Sequence, residues 1–358
     1  MSGRQILTLH FGEAGDKLGA HFWNGQDALN RWSVYTRNTS VDHGKYFTEH
    51  QCPRLISVLP PEQLEAVGEL DASSTDLDDV NMAHVASPRE LFPHINLNKK
   101  SIERVPIVVP TVGKYEPFHA GLQTKGQFID DILEKARYFA EECDHLGTIQ
   151  AFSGDDQYGG LGAKVMESLM DDFEKKLFLV FSVPSVDLKS SWESKALALY
   201  SYKDCHHVPF AMMKPDDLEW SVNSYEPFPI FASAIDTIQS HEPLPFITLP
   251  KIGSIAYGMR MESENHEKEK VEPVIDLMSF ASPGFYAVSC RSDRKSVPSY
   301  VKVNNHGYIA HHTTAAYGVP QDLESFMQDI CSFIKTKPPG IDRDLHEEMR
   351  HFLLSQSE

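Results

Sequence analysis

The sequence lacks basic runs, cysteine-rich motifs and long apolar segments. Its 51 Asp and Glu residues outnumber 33 Lys and Arg, which gives a formal net charge of −18. Nucleic-acid-binding proteins usually carry a basic face, and attraction to anionic lipid usually requires clustered Lys or Arg. The charge balance therefore argues against nucleic acid as a partner and against broad adhesion to a membrane surface.

Cysteine is scarce and scattered. No C-x-x-C pair occurs among the five residues, which are Cys52, Cys143, Cys205, Cys290 and Cys331. An odd, unclustered set is typical of free thiols in a reducing compartment and offers no grouped zinc ligands. We therefore expect neither a disulfide framework nor a structural metal site.

No apolar run approaches the ~20 residues that a transmembrane helix requires. The apolar run near the N-terminus is too short for a signal peptide, and the segment is acid-containing and poor in serine, unlike a transit peptide. We expect a cytoplasmic protein that reaches any membrane organelle from the cytosolic side, by peripheral contact.

Apolar periodicity predicts an α/β arrangement in the first half of the chain. Predicted strands cover 4–11, 54–59, 105–112, 148–152 and 177–183, and predicted helices cover 18–32, 127–146, 163–176 and 194–206. The strand at 105–112 contains two prolines, so it is expected at a sheet edge or as an extended loop. Strands that alternate with helices are typical of a parallel sheet with crossover helices.

The pattern changes beyond residue 240, where prolines and a charged stretch at 262–272 interrupt it. A helix at 228–238, strands within 274–315 and a helix at 320–336 are predicted around this change. We predict an α/β nucleotide-binding-type domain at 1–190, a connecting helix region at 191–220, a smaller α+β domain at 221–336 and a polar tail at 337–358. The tail is expected to be frayed, with a short helix at most.

The first candidate site is the turn between the strand at 4–11 and the helix after it. Glycines at such a turn let backbone N–H groups approach a phosphate, and the helix N-terminus favours negative charge. Glycine turns before helices are also common for purely structural reasons. The positions concerned are Gly12, Glu13, Gly15, Asp16 and Gly19.

The second candidate site is the turn at 153–162, which follows the strand at 148–152. Its positions are Ser153, Gly154, Asp155, Asp156, Gly159 and Gly160. Two carboxylates facing a triphosphate would repel it by about 1 kcal/mol or more each, whereas Mg²⁺ would reverse the sign. One hypothesis is that the carboxylates cap the helix that begins near Gly160 and replace a phosphate; the other is that they point into solvent.

Both turns resemble those of the tubulin/FtsZ superfamily. GEAGDKLGAHFW, from Gly12 to Trp23, is similar to the tubulin motif GQCGNQIGAKFW. GDDQYGG, from Gly154 to Gly160, falls on the tubulin signature GGGTGSG and keeps only its ends. FLVFSVPS at 178–185 is similar to the next tubulin strand. The resemblance implies a Rossmann-type parallel sheet followed by a smaller α+β domain.

Within this superfamily the chain most resembles the Misato family. HFWNGQDA at 21–28 is similar to its HWWNxQDA, and the segment at 138–164 is similar to its acidic version of the glycine signature. The segment that begins Cys52-Pro-Arg-Leu-Ile is similar to its T-P-R-L-I. The resemblance covers 4–59 and 128–240, about half of the chain.

The resemblance also implies which residues a GTPase would need. The asparagine that would contact guanine falls on Lys214, which cannot both donate to and accept from the base edge. The catalytic N-x-D of the loop after the central helix is absent, and Glu242 is the only acid there. We therefore expect no GTP hydrolysis, no catalytic residue and no filament of the tubulin kind. No cofactor is expected, with weak binding of GTP, GDP or Mg²⁺ as the alternative.

The family resemblance implies a role in mitochondrial distribution, morphology and inheritance, on the cytosolic side of the mitochondrial outer membrane. We expect a non-catalytic scaffold whose partners are proteins, either cytoskeletal or on the mitochondrial surface. Two alternatives stay open. One is a divergent guanine-nucleotide-binding switch that forms no filament, and the other is a factor associated with tubulin or the spindle.

Overall fold

The structure is a computed structural model. It describes residues 5–36, 43–50, 52–61, 99–107, 117–183, 192–209, 258–263, 272–276, 288–292, 302–303, 306–307, 313–318 and 343–355, together with residues 228, 231–232, 235–236 and 239. The predicted helix at 320–336 lies outside these residues.

Six strands form an all-parallel sheet in the order β3-β2-β1-β4-β5-β6. The strands are β1 (Gln5–Phe11), β2 (Leu55–Leu59), β3 (Ile102–Arg104), β4 (Leu146–Ser153), β5 (Leu177–Ser182) and β6 (His206–Pro209). Successive strands run outward from β1 on one side and from β4 on the other. The order therefore reverses between β1 and β4, which is where open parallel sheets bind ligands at the carboxyl ends of their strands.

Helices cover both faces of this sheet, so the predicted α/β arrangement is confirmed. They are α1 (Gly12–Thr36), α2 (Pro117–Leu122), α3 (Gly126–Glu141), α4 (Gln157–Asp172) and α5 (Trp192–Ser201), with 3₁₀ turns at His43–Lys45 and Lys99–Ser101. None of the helices described is long and apolar enough to span a bilayer.

The two faces of the sheet pack against different sets of residues, because successive side chains along each strand point to opposite faces. Leu9 and Ala151 belong to the apolar cluster under α3, α4 and α5. His10 and Phe152 lie on the opposite face, where their rings stack at 5.3 Å and Phe22 of α1 packs edge-on against Phe152. The face covered by α1 is therefore aromatic and partly polar.

The segment at 228–239 is helical at each of its described positions, as predicted. It contacts α1, because the Gln26 side-chain amide donates to Asp236 Oδ1 at 2.7 Å. Gln239 is fully buried. Its side-chain carbonyl accepts a hydrogen bond from the Tyr46 hydroxyl at 2.8 Å, and its amide donates to Gln150 of β4. Gln150 in turn donates to Thr8 of β1 at 2.9 Å. A buried polar chain thus fixes this helix to the centre of the sheet.

Two predicted elements need correction, and one helix was not predicted. The described part of the strand expected at 105–112, residues 105–107, is not in a strand, and 108–112 lie outside the described residues. The edge strand is β3, which ends at Arg104, because Pro106 has no N–H to continue the ladder. The helix expected at 194–206 ends at Ser201, and its last residue is instead the start of β6. The short helix α2 had no counterpart in the prediction.

The later part of the chain contains a four-stranded antiparallel sheet in the order β8-β7-β12-β9 and a β10–β11 hairpin. The strands are β7 (Gly258–Ser263), β8 (Glu272–Asp276), β9 (Val288–Ser292), β10 (Lys302–Val303), β11 (His306–Gly307) and β12 (Thr313–Gly318). The charged loop predicted at 262–272 overlaps the ends of β7 and β8, which pair with each other. The domain boundaries at 190, 220 and 336 stay predictions.

The tail predicted at 337–358 is not frayed throughout, because it contains the 13-residue helix α6 (Arg343–Ser355). Leu345, Met349 and Phe352 recur at helical spacing and pack against the core cluster, with Met349 fully buried. Phe352 lies edge-on to Tyr200 of α5, whose hydroxyl donates to Glu348 at 2.9 Å. Helix α6 therefore packs against α5 and the apolar cluster beneath the parallel sheet.

Candidate functional site

The two predicted glycine turns lie next to each other at the carboxyl ends of β1 and β4. Phe11 and Ser153 are register partners at the last position of each strand. Helices α1 and α4 begin directly beyond them, so their N-termini face the crevice at which the strand order reverses. Both predicted turns therefore lie between a strand and a helix, side by side at one edge of the sheet.

The glycines of the first turn are required by close packing. Gly12 has φ +69°, a conformation that side chains with a Cβ rarely adopt. A Cβ at Gly15 would lie 2.3 Å from the carbonyl oxygen of Phe152, and one at Gly19 would lie 1.8 Å from His10 Cε1. The N-terminal turns of α1 thus sit directly on β1 and β4, which supports the structural interpretation of these glycines.

Asp16 is bound within the protein. Its Oδ1 accepts hydrogen bonds from Ser57 Oγ at 2.8 Å and from His10 Nδ1 at 3.4 Å. The Trp23 indole N–H, which can only donate, lies 3.2 Å from His10 Nε2. Nε2 is therefore the acceptor, and the neutral ring carries its proton on Nδ1, facing Asp16. Burial lowers the pKa of His10, although the Asp16 carboxylate opposes this.

Glu13 also has a partner inside the first turn. Its carboxylate accepts a 2.6 Å bond from Lys17 one helical turn later. The Lys17 side chain is only 4% exposed, whereas that of Glu13 is 47% exposed. The two positions at which tubulin has glutamines thus form an ion pair with each other.

The second turn is shorter than predicted, because α4 begins at Gln157 rather than near Gly160. Asp156 is the N-cap: its Oδ1 accepts from the backbone N–H of Tyr158 at 2.9 Å and of Gly159 at 3.1 Å. The capping half of our hypothesis is therefore confirmed for Asp156. Burial raises the pKa of Asp156 to about 6, with Asp155 adding to the rise and the two amides opposing it.

Gly159 and Gly160 lie in the first turn of α4 rather than in a loop. A Cβ at Gly159 would lie 2.2 Å from the carbonyl oxygen of Gly154, and one at Gly160 would lie 1.9 Å from that of Phe118 in α2. On the other helix, a Cβ at Gly121 would lie 1.8 Å from the carbonyl oxygen of Gln157. Helices α2 and α4 therefore cross with their backbones in contact, and the glycines permit the crossing.

Asp155 is buried, with 2% of its surface exposed, so the alternative in which it points into solvent is wrong. Lys195 of α5 is close enough to interact with it electrostatically. Burial lowers the pKa of Lys195, and the charge of Asp155 opposes this shift. The first carboxylate of the turn thus faces a lysine of the neighbouring helix.

Ser153 and Gly154 connect this turn to α5 through Tyr202, which follows that helix. The Tyr202 hydroxyl donates to the carbonyl oxygen of Gly159 at 2.8 Å and lies 3.2 Å from Ser153 Oγ. Ser153 Oγ also lies 3.1 Å from the carbonyl oxygen of Gly154. Burial raises the pKa of Tyr202, so the hydroxyl keeps its proton and its role as a donor.

Tyr158 was missed by sequence reasoning, although it is the largest residue in the glycine signature. It is 4% exposed, and its own Cβ would lie 2.7 Å from a Cβ placed on Gly12. Its hydroxyl donates to the carbonyl oxygen of Val105, just after β3, at 2.8 Å. A bulky aromatic residue at a signature position that is glycine in tubulins was the available signal.

A nucleotide phosphate does not fit this crevice with the residues as they stand. At the first turn of α4 it would have to displace the Asp156 carboxylate from the two amides, and Tyr158 fills the space beside Gly12. Within the described part of the chain, no three His, Cys, Asp or Glu side chains are grouped so that they could hold a metal ion. Lys214, Glu242 and the loop expected to hold N-x-D lie outside the described residues.

Comparison with known proteins relates part of this chain to tubulins. The profile of a family described as "Tubulin domain" matches residues 115–237, which include α2 to α5 and the second turn. Protein DML1 of Coccidioides immitis is 26% identical over 286 residues, covering 62% of this chain and 54% of that protein.

Two further relatives have similar names. Protein dml1 of Aspergillus niger is 42% identical over 234 residues, covering 50% of this chain and 47% of that protein. Protein misato of Drosophila melanogaster is 22% identical over 271 residues, covering 52% of this chain and 47% of that protein. The matched regions span about half the length of these relatives.

Proposed function

We propose that this chain, a tubulin-like protein related to the DML1 and misato proteins, is a non-catalytic scaffold for the distribution, morphology and inheritance of mitochondria. The observation that carries the non-catalytic part is the bonding of Asp156 to the amides of Tyr158 and Gly159. The mitochondrial part rests on the resemblance to the Misato family and on the related names.

GTP hydrolysis in this fold requires a triphosphate held at the N-termini of α1 and α4. Here the amides at the start of α4 are bonded to Asp156, and Glu13 and Lys17 of α1 pair with each other. The glycines of both turns are in close packing contact with neighbouring groups. The sheet keeps its shape from internal contacts, as a scaffold requires.

In this proposal the protein works in the cytoplasm, in peripheral contact with the mitochondrial outer membrane. Its partners are proteins, because the net charge of −18 disfavours anionic surfaces and nucleic acids. Neither GTP turnover nor a tubulin-like filament is part of the mechanism.

The test is depletion of the protein in cells, with imaging of mitochondrial distribution and rescue by two versions of the chain. Wild type and Asp156→Asn, which keeps the cap, should both restore the normal distribution. Purified wild-type protein, denatured and passed over an ion-exchange column, should release no guanine nucleotide. A normal distribution of mitochondria after depletion would refute the mitochondrial role. Measurable GTP turnover would refute the non-catalytic role.

A further inference from the structure

We propose that Tyr158 closes the phosphate crevice of this fold from within and is the residue that excludes nucleotide from it. By phosphate crevice we mean the space bounded by Gly12 at the end of β1 and by the turn from Gly154 to Gly159 at the end of β4. The inference rests on the proposed absence of nucleotide turnover and extends it, because it names the side chain responsible.

The ring of Tyr158 is held at both ends. At its base, Gly12 approaches so closely that no Cβ fits between the two residues, since the separation would be 2.7 Å. At its tip, the hydroxyl donates to the Val105 carbonyl oxygen at 2.8 Å, and Val105 itself is fully buried. Rotation of the ring out of the crevice would break this buried bond and leave the Val105 carbonyl without it.

Asp156 closes the same crevice electrostatically. Its carboxylate already bonds the two amides that a phosphate would use, and it would repel any anion that approached them. Tyr158 and Asp156 are two residues apart, so one turn supplies both a steric and a charged barrier. Removal of either barrier alone leaves the other in place. We therefore expect the gain in phosphate affinity from the two substitutions together to exceed the sum of the gains from each one alone.

The experiment compares wild type, Tyr158→Ala, Asp156→Ser and the double variant by calorimetric titration with inorganic phosphate and with GDP. Ser keeps an N-cap oxygen without the charge. We expect no saturable binding by wild type, and binding of both probes by the double variant at least about ten-fold tighter than by either single variant. Tyr138→Ala is the matched control: this α3 tyrosine also donates from its hydroxyl, to Glu142, but lies outside the crevice.

A double variant that melts cooperatively and still binds neither probe overturns the proposal, as does equal binding after Tyr138→Ala. If the double variant does not fold, hydrogen exchange of wild type across 154–162 decides the question. Slow exchange that phosphate leaves unchanged supports a closed crevice, and exchange that phosphate slows further overturns it. Wild type that binds phosphate without hydrolysing GTP refutes the closure alone, whereas GTP turnover refutes the proposed function.

Discussion

Gly19 of α1 and His10 of β1 are in contact so close that a single methyl group at Gly19 would lie 1.8 Å from the imidazole Cε1. The ring is held in place by the Trp23 indole on one nitrogen and Asp16 on the other, and it stacks on Phe152. It therefore cannot move aside without breaking a buried network.

Gly19→Ala is accordingly expected to destabilise the protein by about 1–3 kcal/mol, the usual cost of overpacking a core. The matched control is Gly25→Ala on the same helix, where a Cβ would meet nothing within 4 Å. There the better helix propensity of alanine should stabilise by about 0.5–1 kcal/mol. Urea unfolding of both variants measures the difference, and equal effects would contradict the packing account of Gly19.

The stability of the Asp156→Asn variant relative to wild type should increase as the pH rises from 4 to 7. The pKa of Asp156 is about 6 in the folded protein against a normal value of 3.8, so the folded state holds the proton more tightly. Wild type therefore loses stability as the pH rises through this window, whereas Asn caps without titrating. Across this window, the difference in unfolding free energy between the two proteins should change by up to about 3 kcal/mol.

Chemical unfolding at several pH values measures that difference. Asp156→Ala serves as the second variant, because it loses the cap as well and should be about 0.5–2 kcal/mol less stable than Asn at every pH. A pH-independent difference between wild type and Asp156→Asn would show that the carboxyl group is not buried at the helix end.

Acid should destabilise the protein below about pH 6.5 through its buried neutral histidines. Burial lowers the pKa of His207 to about 3 and that of His21 to about 4, from a normal value of 6.5. Unfolding lets each take up a proton, so stability present above 6.5 is lost as the pH falls, by up to about 1.4 kcal/mol per pH unit for each residue.

His207→Gln should flatten this decline between pH 6.5 and 4 relative to wild type. Unfolding free energies at intervals of half a pH unit measure both slopes. Identical slopes for wild type and His207→Gln would mean that His207 is not buried in its neutral form beside Ser182, to which it is bonded at 2.7 Å.

Met349→Ala should lower the free energy of unfolding by about 2–5 kcal/mol, because it removes a fully buried side chain of α6 and leaves a cavity in the apolar cluster. Arg350→Ala, at the next and exposed position, should change stability by less than about 0.5 kcal/mol. Thermal melts of the two variants give the comparison. A mild effect at Met349 would indicate that α6 is not part of the cooperative unit.

Much of this architecture could be predicted from the sequence, because its signals are local. The spacing of Ile129, Ile132 and Phe139 predicted α3, and the resemblance to tubulins placed both glycine turns. The comparisons likewise find similarity to a tubulin domain and to the misato protein. The cap by Asp156 could also be predicted, since the residue type and its position before a helix carry that information.

Other features could not be predicted because they depend on distant contacts. Nothing local marks Gly160 as a packing glycine until Phe118 of α2 lies against it, and Tyr158 becomes a barrier only when β1 brings Gly12 alongside. The helix at 343–355 was underestimated because its apolar residues look sparse until α5 supplies the surface that they cover.

The return of α6 to α5 has a consequence for synthesis. A ribosome releases the strands of the parallel sheet well before residues 343–355 emerge, and domains begin to fold as they appear. Until then, Tyr200 and the apolar surface beneath Met349 stay uncovered on the nascent chain. Folding of this part of the molecule is therefore completed only when α6 has left the ribosome and covers that surface.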